Sequence, residues 1–84
     1  MISEKDVIAA LPKLAKHVTL TVKPHASDYR LIQIYLHNTR PTNKNKAHAN
    51  YVVKCVDDDY KDMELLRVAV ETIVKATQPY GFFA

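Results

Sequence analysis

The sequence has one glycine, one cysteine and no long apolar run, and each scarcity closes a class of function. With Gly81 as its only glycine, the chain has no residues from which to build a glycine-rich phosphate loop. Cys55 alone forms no intramolecular disulfide and rules out cysteine-rich zinc patterns, which points to a reducing, cytoplasmic setting. No stretch approaches the roughly 18 apolar residues of a membrane-spanning helix, and residues 1–6 lack the basic and apolar parts of a signal peptide. Acidic residues are missing from His37 to Asn50, where Arg40, Lys44, Lys46 and His48 lie among Asn, Thr and Pro.

What is present describes one small folding unit. A chain of 84 residues supports a single core, and 48% apolar with 25% charged residues is ordinary for a globular domain. The net charge of +3 is unevenly spread: residues 1–56 carry nine Lys or Arg against three acids, and residues 57–84 carry three against six. Such a division orients a charged partner during encounter.

Ser3 followed by Asp6 resembles a capping box, and Val7, Ile8, Leu11, Leu14 and Ala15 recur at helical spacing, so a first helix is expected over residues 4–16. Pro12 should kink that helix or end it near Ala10. Val18 to Lys23 alternates with period two and predicts a strand that stops at Pro24. The turn chemistry of residues 24–28 leads into a second strand from Tyr29 to Leu36, and a third is expected from Tyr51 to Val56. Asp58 or Asp59 is placed to cap a second helix, in which Met63, Leu66, Val70 and Ile73 form an apolar face to about Thr77, before Pro79. The reading is an α+β domain over residues 1–84, ordered α-β-β-β-α. A three-stranded antiparallel sheet carries both helices on one face, and residues 37–50 form a long basic loop.

With Val18, Leu20, Val22, Ile32, Ile34 and Leu36 inward, Thr19, Thr21, Lys23, Tyr29, Leu31, Gln33, Tyr35 and His37 face away from the helices. The third strand leaves two choices, Tyr51, Val53 and Cys55 inside or Val52, Lys54 and Val56 inside. The binding candidates are Arg40, Lys44, Lys46, His37 and His48 on the loop, Tyr35, Lys23 and Lys54 on the uncovered face, and Phe83 in the aromatic tail. Tyr80, Phe82 and Phe83 are expected to fold back on the core, the alternative being an anchor in a partner groove.

Catalysis finds no support, because Cys55 lies in an apolar strand and the four histidines are scattered. No metal or cofactor is implied; the acids from Asp57 to Glu64 lack the spacing of a calcium loop and fit helix capping. The order of elements is similar to that of the double-stranded-RNA-binding domain, in which a basic cluster opens the second helix; here Asp57, Asp58 and Asp59 stand at that place. The order also resembles that of some small phage-encoded inhibitor proteins, which implies an accessory or inhibitory role. The expectation is a non-enzymatic protein that binds another protein stoichiometrically and forms a homodimer. The alternative is a nucleic-acid binder using Arg40, Lys44, Lys46, Lys23 and Lys54, with Tyr35 stacking.

Overall fold

Alternation along the strands decides the architecture. The computed structural model describes residues 2–40, 42 and 46–84. Strand β1 (Val18–His25) pairs antiparallel with β2 (Asp28–Asn38), and β2 with β3 (His48–Lys54), giving one sheet in the order β1-β2-β3. Helix α1 (Glu4–Ala10) precedes the sheet and α2 (Asp59–Thr77) follows it. Val7 from α1 and Leu66, Val70 and Ile73 from α2 share a core with Val18, Ile32, Ile34, Leu36 and Val53, so both helices cover the same sheet face. The protein is an α+β domain with a three-stranded antiparallel sheet and two helices.

The helix ends follow from their caps. The Ser3 hydroxyl accepts the Asp6 amide while the Asp6 carboxylate accepts the Ser3 amide at 2.9 Å, which closes the expected capping box. α1 ends at Ala10 rather than 16, because Pro12 has no amide to continue the ladder. Asp58 caps α2 by accepting the Lys61 amide at 3.0 Å. Beyond α2, a 3-10 turn over Gln78–Tyr80 contains Pro79, and Gly81 reverses the chain at φ 68°. Phe82 is then fully buried, and residues 13–15 and 82–84 are joined by backbone bonds: Ala15 N–H donates to Phe82 C=O at 2.9 Å and Ala84 N–H to Lys13 C=O at 2.8 Å.

All three strands differ from expectation at one or both ends. β1 runs through Pro24 to His25, because β1 is an edge strand and needs no donor from proline on its outer side. β2 extends to Asn38, and β3 starts at His48 and ends at Lys54. The expected 37–50 loop therefore shrinks to residues 39–47, since His37 pairs with His48, and Asn38 N–H donates to Ala47 C=O at 2.6 Å. The choice left open for the third strand resolves with Val53 and Cys55 buried and Tyr51 half-buried beside them.

Candidate functional site

The side of the sheet away from the helices is uncovered, and the register arranges it in rows. Thr19, His37 and His48 form one row; Thr21, Tyr35 and Asn50 the next; Lys23, Gln33 and Val52 a third; Leu31 and Lys54 the last. None of these eleven residues is acidic. Across β2 and β3 the rows are non-hydrogen-bonded pairs, the type in which facing side chains stand closest. That parity is set at the two ends of the ladder, where Asn38 N–H donates to Ala47 C=O and Cys55 N–H to Arg30 C=O.

The ring and side-chain amide contacts of this face run along β2 and diagonally across the β2/β3 ladder. The Tyr35 ring lies 6.0 Å from the His37 imidazole and 6.0 Å from that of His48, the latter inclined at 29°. Gln33 Nε2 donates to Asn50 Oδ1 at 3.0 Å, and the Thr19 hydroxyl donates to the His37 carbonyl at 3.3 Å. One end of the face thus holds three clustered rings, Tyr35 stacked on His48 and tilted against His37; the other holds two lysines around Gln33 and Val52. At that second end Arg30 pairs with Asp57 at 3.4 Å, an exposed contact worth little energetically.

Of the residues expected to act together, Tyr35, His37, His48, Lys23 and Lys54 share this face. His37 and His48 are strand residues here, directly opposite one another, and not loop residues. Arg40 follows β2 in the bend at the ring end, with its amide bonded to Asn38 Oδ1 at 3.0 Å. Lys46 is drawn elsewhere, its ammonium lying 5.1 Å from the centre of the Tyr80 ring. Lys44 lies outside the described residues. Phe83 sits on the helix side, half-buried in a bridge with Leu14, so the tail packs on the core and is not part of the sheet face.

Asn50 and its partnership with Gln33 were missed by sequence reasoning, which began the third strand at Tyr51, three residues too late. A strand started at His48 would have put His48, Asn50, Val52 and Lys54 on one side. Cys55 is fully buried in the core. Among the described residues, no three His, Cys, Asp or Glu side chains are grouped to hold a metal ion. No helix among the described residues is long and apolar enough to cross a membrane. Comparison with family models, with curated proteins and with solved structures returned no match to this chain.

Proposed function

We propose that this chain is a non-enzymatic protein acting by stoichiometric binding, and that its uncovered sheet face takes single-stranded nucleic acid. The observation that carries the reading is an eleven-residue face without an acid, with the Tyr35, His37 and His48 rings clustered at one end and Lys23 and Lys54 at the other. Unstacked bases rest on aromatic and imidazole rings, and ammonium groups follow the phosphates. The Gln33 and Asn50 amides between the two ends supply donors and acceptors for base edges or sugars. A protein partner on the same face ranks second. Leu31 and Val52 are its only aliphatic side chains apart from the threonine methyls, whereas the core of a protein interface is depleted in charge.

Fluorescence anisotropy of labelled single-stranded and duplex oligonucleotides at two salt concentrations tests the reading. Expected is binding of single strands that weakens with salt. Tyr35→Ala should cost about 1–3 kcal/mol of binding free energy, and Lys23→Ala with Lys54→Ala should flatten the salt dependence. No binding to single strands at low salt would overturn the assignment.

A further inference from the structure

The free edge of β1 is a second surface, separate from the open face and built differently. Thr39 N–H donates to His17 C=O at 2.8 Å, so antiparallel alternation turns the N–H and C=O groups of Leu20 and Val22 outward, away from β2. The neighbouring donors are already removed: Val18 N–H is bonded to Ala15 C=O at 3.1 Å, and Pro24 has none. Two residues therefore carry the exposed ladder. Edge strands are usually blunted by proline, bulges or charge. In β1 the proline and the register shift at Pro24/His25 blunt only its last residues.

Beside that edge the core is incomplete. Leu20 and Val22 remain half-buried, whereas Leu36 and Ile34, their partners on β2, are fully buried, because α1 stops at Ala10. Leu20 lines a groove of about 420 Å³ together with Ile8, Leu11, Pro12, Lys13 and Leu14. Unpaired backbone next to an apolar groove is the arrangement by which sheets accept an added strand, with main-chain bonds giving affinity and alternate side chains filling pockets.

We propose that β1 and this groove receive an extended acidic segment of a partner protein by strand addition. The backbone of that segment would pair with Leu20 and Val22, and its inward apolar side chains would enter the groove. Charge selects the occupant. Residues 7–27 contain Lys13, Lys16 and Lys23 and no Asp or Glu. A second copy of the chain would set these lysines against their own kind, while acidic side chains flanking an apolar residue are complementary to them.

The test is amide NMR of the full chain titrated with a synthetic peptide of alternating acidic and apolar residues (Glu-Val-Asp-Leu-Glu-Val-Asp), against the same peptide with lysine at every acidic position. Expected are shifts and slowed exchange at the amides of Leu20 and Val22 with the acidic peptide alone. Lys13→Glu should weaken binding about tenfold. Val22→Pro removes an outward donor while leaving the ladder to β2 intact, and should abolish binding. Ile8→Glu, at a side chain 54% exposed, probes the groove with little demand on folding and should also weaken it. Absence of binding, equal binding of the lysine peptide, or shifts confined to Tyr35, His37 and His48 would each overturn the proposal. So would concentration-dependent self-association that protects Leu20 and Val22, which would assign the edge to a second copy.

Discussion

Asp62 is a buried acid outside the apolar core. It is 1% exposed in the first turns of α2, and its Oδ1 accepts the Val56 amide at 2.7 Å. The carboxylate thus ties the segment after β3 to the start of α2 across Asp57, whose backbone is left-handed at φ 58°. Oδ2 is buried with no hydrogen-bond partner among the described residues. One oxygen is therefore structural, and the charge on the group costs solvation. Asp62→Ala should lower stability by roughly 1–3 kcal/mol through loss of the acceptor, whereas Asp62→Asn keeps an acceptor and should retain most of it. Urea unfolding midpoints of the two variants separate these effects; equal losses would show that the charge itself is needed.

At the scale of elements, the sheet makes a prediction about its two edges. On β1 the amides of Thr19 and Thr21 face β2 and those of Leu20 and Val22 face out, while on β3 the amides of Ala49, Tyr51 and Val53 face β2 and those of Asn50, Val52 and Lys54 face out. Hydrogen exchange should alternate residue by residue along both strands, fast at the outward amides. Uniform protection along β1 would mean that something already covers this edge. The capping box of α1 makes a second prediction. The Ser3 amide and hydroxyl hold the Asp6 carboxyl below its ordinary value. A carboxyl depressed by folding stabilises fully above its unfolded pKa and less as pH falls through the folded one. Ser3→Ala should therefore reduce stability at neutral pH and narrow the gap between neutral and acid melting temperatures.

The same elements show what the sequence made legible. The order α-β-β-β-α, a cap at Asp58 or Asp59 and a break at Pro12, by a kink or by an end near Ala10, could be read because each rests on local signals: periodicity, a capping side chain, a missing amide. The start of β3 could not be read in this way. His48, Ala49 and Asn50 have weak strand propensity, and it is their pairing with Tyr35, Leu36 and His37 on the longer β2 that makes them a strand. The face residues Tyr35, Lys23 and His37 followed from alternation alone. Phe83 packs on the core as expected of the tail, whereas the place of Lys46 over the Tyr80 ring could not be read, because it is a long-range contact.

At the scale of the whole molecule, the last residues close the core opened by the first. Residues 13–15 and 82–84 meet in a short antiparallel contact through Leu14 and Phe83, and Phe82, fully buried, joins the cluster that includes Ile2, Val7 and Leu11 from the N-terminal side. Because α1 has only seven residues, it depends on this contact and on Val7 to stay on the sheet. A helix that short is not stable by itself in water. Removing the Phe82 ring should thus do more than leave a cavity, because it also loosens the segment that holds α1 over β1. Replacing a buried phenylalanine by alanine costs about 3–5 kcal/mol, which in a domain of this size lowers the melting temperature on the order of 15–30 °C. Phe82→Ala should show that loss by circular dichroism, together with faster exchange at the Val7 and Leu11 amides, which accept no protection from the sheet. A drop below about 5 °C would mean that the tail packs without supporting the core. Phe83→Ala, at a half-buried ring, should cost clearly less than Phe82→Ala.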